Sequence, residues 1–261
     1  MGETVAAGPV RSSVGRTLVR ERTRGYIKLS NAARALGFSF KDKVVLDIGS
    51  STGGFTQYAL DHGAKKVIAI EKGTKQMLPF LRNDPRVELH EKTDIFDVRV
   101  TRTELRGAFA TTGANDEASP STIVGAEQTK RLRFVSRRRP TDDPIGSTGA
   151  SKEATKSSVL VAIPGVVLAD VSFISLRSIL EHVRIKNAEY LVMLKPQFEA
   201  EPNELNKGVV KNEHIRRDII KRFELWLKQN GFIVIDKHDN ELKGKTGNLE
   251  RFYYLKLAQN S

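Results

Sequence analysis

Residues 44–70 read VVLDIGSSTGGFTQYALDHGAKKVIAI, and this stretch decides the fold. A short apolar run, VVLDI at 44–48, gives way to a glycine-rich turn. Then GGFTQYAL at 53–60 follows helical spacing, and KKVIAI at 65–70 is a second apolar run. Strand, helix and strand in that order form the unit of a parallel sheet with helices on its faces. The rhythm continues with a helix over 73–83 (GTKQMLPFLRN) and a strand over 86–90 (RVELH). It resumes with a strand at 166–170 (VVLAD), a helix at 175–183 and a strand at 188–194 (AEYLVML). A long amphipathic helix over 214–231 places Ile215, Ile219, Ile220, Phe223, Trp226 and Leu227 on one stripe, with Gly231 as its stop. FIVIDKH at 232–238 and ERFYYLKL at 250–257 follow without a crossover helix between them. The expected architecture is a Rossmann-like α/β sheet of seven mostly parallel strands that ends in an antiparallel hairpin.

The 261-residue chain is long enough for a substantial core, and 39% hydrophobic with 28% charged residues is an ordinary globular balance. No apolar run approaches the ~20 residues of a membrane span. With no cysteine, disulfides and thiolate chemistry are excluded, and the first residues lack the apolar stretch of a secretory signal, so the expected compartment is the cytoplasm. Lysine and arginine number 43 against 31 acids, a net +12, which suits a polyanionic partner such as RNA. From about 101 to 158 the rhythm breaks into Gly, Ser, Thr and Ala-rich sequence that cannot bury enough surface to offset its ordering entropy, so a mobile insertion is expected. Within it, KRLRFVSRRR at 130–139 carries six cations and no acid, including Arg137, Arg138 and Arg139. It reads either as an arm for RNA phosphates or as a solvated charge run.

The glycine turn lies where the first strand becomes the first helix, at the edge where such sheets bind ligands, and it spans Asp47, Gly49, Ser50, Ser51, Thr52, Gly53, Gly54 and Phe55. Its spacing matches neither the dinucleotide fingerprint nor a phosphate loop. A carboxylate there suits a cationic cofactor instead, and S-adenosylmethionine carries both a sulfonium and an ammonium. Glu71 ends the second strand, where an acid can accept from ribose hydroxyls, and Asp94 follows the third, within reach of an adenine amino group. Each acid alone reads as a turn or cap residue, but three at successive strand ends favour a binding edge. Asp170 and Lys195 end the next two strands. Side by side they form either a structural ion pair or a site in which burial favours a neutral lysine able to take a proton from a hydroxyl. Lys28, just ahead of a helix built on Leu29, Ala32, Ala33 and Leu36, and Glu250, at the head of the last strand, read from pattern as solvated surface charges.

In order along the chain, RGYIKL, the 44–77 stretch, LRNDPRVELHEKTDI, ADVSFISL, LKPQFEA, NKGVVK and KGKTGNLE resemble the signature of the TlyA (haemolysin A) family, itself similar to the FtsJ class of 2′-O-ribose methyltransferases. The resemblance covers nearly everything from Arg24 onward except the insertion. It implies a class I methyltransferase fold, S-adenosylmethionine as cofactor, no metal, and ribosomal RNA or ribosomal subunits as substrate. It also implies a Lys-Asp-Lys-Glu catalytic tetrad, which falls on Lys28, Asp170, Lys195 and Glu250, with Asp170 also facing the cofactor. Family members usually begin with a small RNA-binding domain, whereas 24 residues precede Gly25 here. The expected organisation is therefore a basic arm over 1–24, containing Arg22 and Arg24, followed by a methyltransferase domain over 25–261, with the basic segments standing in for the missing grip on RNA. The rival readings are a protein that binds RNA and cofactor without catalysis, and a membrane-active haemolysin.

Overall fold

Seven strands assemble in the order β10-β11-β7-β6-β1-β2-β3. They are β1 (Val44–Ile48), β2 (Lys66–Ile70), β3 (Val87–His90), β6 (Val166–Ala169), β7 (Glu189–Leu194), β10 (Phe232–Asp239) and β11 (Arg251–Leu257). The computed structural model describes residues 22–101, 158–242, 244 and 247–259. The basic arm up to residue 21 and the stretch read as an insertion, apart from its two end residues, lie outside the described residues, and so do Arg137, Arg138 and Arg139.

β1, β2, β3, β6 and β7 run parallel, and β11 is antiparallel to both of its neighbours, β7 and β10. The central strands show no polar alternation because both faces are covered. On one face, α1 (Arg24–Ala35), α2 (Gly54–Asp61) and the short α3 (Pro79–Arg82) enclose Leu29, Phe40, Tyr58, Val67 and Phe252. On the other, α4 (Leu176–His182) and α5 (Glu213–Gln229) enclose Leu46, Ile68, Leu180, Phe223 and Tyr253.

Three expectations need correction. The helix foreseen over 73–83 is confined to Pro79–Arg82, because Lys75 has left-handed backbone (φ 55°) and Pro79 has no amide hydrogen to continue a helix from before it. Lys28 does not precede the first helix but lies inside α1, whose start is capped by the Thr23 hydroxyl accepting from the Tyr26 amide at 3.3 Å. Four short strands were not foreseen: β4 (Val98–Thr101) pairs in parallel with β5 (Val159–Ala162), and β8 (Leu205–Asn206) pairs with β9 (Val209–Val210) as a hairpin.

Candidate active site at the carboxyl edge of the sheet

The parallel strands deliver their carboxyl ends to one edge, and the turn after β1 folds back over it. The Gly49 and Ser50 amides both donate to the Ile70 carbonyl, at 2.9 and 3.2 Å. Gly49 has φ +78°, and a β-carbon there would lie 3.0 Å from the Asp170 carbonyl oxygen, so the turn and the end of β6 meet at a distance only glycine allows. At Gly54 a β-carbon would collide with the Thr23 hydroxyl and would approach the Tyr26 amide to 2.7 Å. This close crossing sets α1, and with it Lys28, against the start of α2.

Two adjoining cavities open along this edge. The first, of about 620 Å³, is bounded by Gly49, Ser51, Glu71, Asp94 and Asp170 and walled by the isoleucines 48, 70, 95, 174 and 179. The second, of about 670 Å³, holds Lys28, Asp170, Lys195 and Glu250, together with Ser50, Thr52, Gly54 and Phe55 of the turn and the exposed Arg24. Gly49, Ser51, Asp170, Ser172 and Phe173 border both. A third cavity, of about 710 Å³, lies at the opposite end of the strands around Lys43, Glu189 and Lys256 and contains none of the candidate residues.

The four tetrad side chains come from α1, the loop after β6, the end of β7 and the residue before β11, and they associate as two ion pairs. Lys28 donates to Glu250, with 8% and 4% of their side chains exposed, so neither is the solvated charge that the pattern suggested. Lys195 Nζ lies 2.6 Å from Asp170 Oδ1 and donates to the Ser172 hydroxyl at 2.9 Å. The charges of these four side chains therefore cancel pairwise, and Arg24 lines the same cavity.

The expected cofactor residues are placed unequally. Glu71 borders the first cavity while each of its carboxylate oxygens accepts a backbone amide, from Ser51 at 2.8 Å and Gly73 at 2.6 Å, which pins the glycine turn to the end of β2. Asp94 accepts from the Phe96 amide at 3.2 Å and from Lys72 at 3.0 Å. Asp47 lines neither cavity. It is fully buried and accepts from the Thr56 hydroxyl at 2.6 Å, and burial pushes its carboxyl up to about 7, with Asp170 and Glu71 adding to the rise and Thr56 opposing it. Gly53 also borders neither cavity and acts as the left-handed cap of α2. Arg22 is exposed, with its guanidinium 5.2 Å from the centre of the Tyr26 ring.

Two supporting residues escaped the sequence reading. Glu199 accepts from the Ser175 hydroxyl at 3.0 and 2.8 Å and from the Leu176 amide at 2.6 Å, and pairs with Arg177 at 3.2 Å. It thereby ties the loop that carries Lys195 to the one that carries Asp170, and burial raises its carboxyl above the usual range. Asn248, 4% exposed, accepts from the Val210 amide at 3.0 Å and donates to the Gly208 carbonyl at 3.1 Å, two residues before Glu250. Glu199 lies in a stretch already singled out, but the partners of both residues are too distant in sequence for any local pattern to reveal. Phe173 is 92% exposed with φ +66°, and its ring lies 5.4 Å from that of Phe198 at the mouth of the second cavity. Among the described residues no cluster of His, Asp or Glu is gathered to hold a metal ion, and no helix is long and apolar enough to cross a membrane.

The family model described as FtsJ-like methyltransferase matches residues 21–257. Hemolysin A of Brachyspira hyodysenteriae is 30% identical over 227 residues, which are 85% of this chain and 71% of that protein. The 23S rRNA (cytidine-2′-O)-methyltransferase TlyA of Campylobacter jejuni is 28% identical over 235 residues, 89% of this chain and 69% of that protein. An rRNA methyltransferase candidate of Bacillus subtilis, YqxC, is 28% identical over 91% of this chain, which covers 66% of its length. The chain thus spans about two thirds of these curated relatives. Among solved structures, a candidate hemolysin from Lactococcus lactis superposes with a TM-score of 0.64 at 27% identity, covering 91% of each chain.

Proposed function

The chain belongs to the FtsJ-like methyltransferase family, and on that premise we propose that it methylates a ribose 2′-hydroxyl of RNA, with S-adenosylmethionine as donor and ribosomal RNA as substrate. The observation that carries this reading is the pair of charge-compensated ion pairs, Lys28 with Glu250 and Asp170 with Lys195, in a cavity that shares a wall with a second cavity bounded by carboxylates. The 2′-O-methyltransferase relatives support the choice of acceptor.

The first cavity fits the cofactor. Its isoleucine walls suit an adenine face, Glu71 and Asp94 offer acceptors at its rim, and Asp170 stands where the two cavities meet, suited to a cationic centre. Ser50, buried with its hydroxyl unpartnered among the described residues, leaves a polar atom for a ligand to satisfy. When bound, S-adenosylmethionine supplies an electrophilic methyl group.

The protein must then hold the ribose oxygen in line and provide for its proton. Lys195 is the group for this: as it takes the hydroxyl proton it passes one of its own to Asp170, 2.6 Å away. Its amine is held between Asp170 and Ser172, which fixes a flexible side chain at the junction of the cavities. Lys28 and Glu250 provide a second, more deeply buried pair that aligns the ribose without adding net charge. The experiment is incorporation of tritium from labelled cofactor into ribosomal RNA, followed by mapping of the alkali-resistant ribose. Label in a base, or in protein, would overturn the assignment.

A further inference from the structure

Residues 205–210, LNKGVV, form the β8–β9 hairpin, and its two loop residues, Lys207 and Gly208, have φ +48° and +79°. Two-residue loops with both angles positive favour asparagine or glycine first, because a side chain there is strained. A lysine at that position gains nothing for the turn. The hairpin is nevertheless held firmly. Asn248 bonds Val210 on one strand and the Gly208 carbonyl at the tip, and the Lys211 amide donates to the Glu204 carbonyl at 3.1 Å. Glu204 is gripped by both terminal nitrogens of Arg222, at 2.8 and 2.7 Å.

The anchored tip stands at the acceptor cavity, where Gly208 forms part of the lining together with Lys195 and Glu250. Lys207 is exposed, and no hydrogen bond or ion pair engages its ammonium among the described residues. Lys207 itself lies outside the lining, one residue from Gly208; Lys75 and Lys92 also have left-handed backbone, but neither has a chain neighbour in the lining of this cavity. Electrostatics inside the cavity add the need: the charges of Lys28, Glu250, Asp170 and Lys195 cancel pairwise and give an arriving polyanion no net attraction, and Arg24 is the further cation in the lining. A cation on a rigid mount at the rim would supply it.

From these observations we infer that Lys207 holds a phosphodiester of the RNA next to the ribose that enters the cavity. The inference rests on the methyl-transfer reading and adds to it the residue that fixes the backbone register. Strain at Lys207 is retained because glycine or asparagine, though better for the turn, would carry no charge.

The test compares Lys207→Gly, Lys207→Arg and Lys207→Ala in the full chain. Binding of a fluorescein-labelled single-stranded RNA is followed from 50 to 200 mM salt, alongside thermal unfolding, S-adenosylmethionine affinity and methyl transfer to deproteinised ribosomal RNA. Lys207→Gly should unfold at the same or a higher temperature and bind cofactor normally, yet bind RNA several-fold more weakly, with a salt slope lower by roughly 0.7 to 0.9. KM for RNA should rise while kcat is nearly kept, and Lys207→Arg should restore both slope and KM. A Lys207→Gly protein with unchanged salt slope and KM, beside an active wild type, would overturn the inference alone. A wild type that neither binds nor methylates RNA would overturn the proposed function as well.

Discussion

Lys28 and Glu250, 222 positions apart in sequence, form one ion pair with both side chains more than nine-tenths buried. Such a pair adds little net stability, since desolvation offsets attraction, but removing one partner strands the other charge, typically at about 3–5 kcal/mol. Lys28→Ala should therefore lower Tm markedly and abolish methyl transfer. The double variant Lys28→Met, Glu250→Met should recover most of the Tm, as scanning calorimetry would show, and remain inactive. A double variant that regains activity would make the pair structural only.

Lys195→Ala should leave cofactor affinity intact and cost methyl transfer about 10² to 10⁴-fold, the usual range for losing positioned acid-base help. Lys195→Arg should do no better, since a guanidinium keeps its proton. Single-turnover rates on RNA, set beside calorimetric cofactor binding, separate the two effects. Near-normal turnover in the arginine variant would assign Lys195 to fixing the hydroxyl by charge.

Asp47 should leave a signature in stability against pH. Its folded carboxyl is pushed up to about 7 from an ordinary 3.8, so between those values the folded state holds a proton that the unfolded state has lost. The contribution is complete below pH 3.8, declines as pH rises, and is gone above about 7. Asp47→Asn, which mimics the protonated form and still accepts from Thr56, should remove that decline. The Tm difference between variant and wild type should grow from pH 5 to pH 8, by about 2–4 °C for each kcal/mol recovered. Parallel Tm curves would rule out a proton on Asp47.

Phe173 touches little of the core but presents a 92% exposed ring beside Phe198. A base stacked there would contribute about 1–3 kcal/mol. Phe173→Ala should keep the wild-type Tm and weaken RNA binding by roughly 5 to 150-fold, the equivalent of that energy. Fluorescence anisotropy with RNA oligonucleotides checks it, and unchanged affinity would leave the ring without a role in binding.

The parallel sheet was legible because buried central strands read as unbroken apolar runs between glycine turns. The last strand's place was less so. Its hairpin with β10 follows from the sequence, but its insertion between β7 and β10 is a tertiary choice made by residues such as Phe252 and Tyr253, one buried on each face. Within the site, Asp170 and Lys195 stand out by lying at strand ends. Lys28 does not, because a lysine followed by Leu29 and Ala32 looks like any boundary residue until the glycine contact between α1 and α2 turns it inward. Glu199 and Asn248 were illegible for another reason: their hydrogen bonds reach 24 and 38 positions along the chain.

The interior position of β11 also dictates when the enzyme can exist. During synthesis the ribosome delivers β1, β6 and β7 first, and with them Asp170 and Lys195, while the free edge of β7 waits for the chain beyond residue 250. Until that strand slots in, Lys28 lacks Glu250, its ion-pair partner among the described residues, and β7 offers an unpaired edge open to other chains. Formation of the Lys28–Glu250 pair and closure of that edge are one event. A nascent or truncated chain thus carries the liability of the open sheet without the buried Lys28–Glu250 pair.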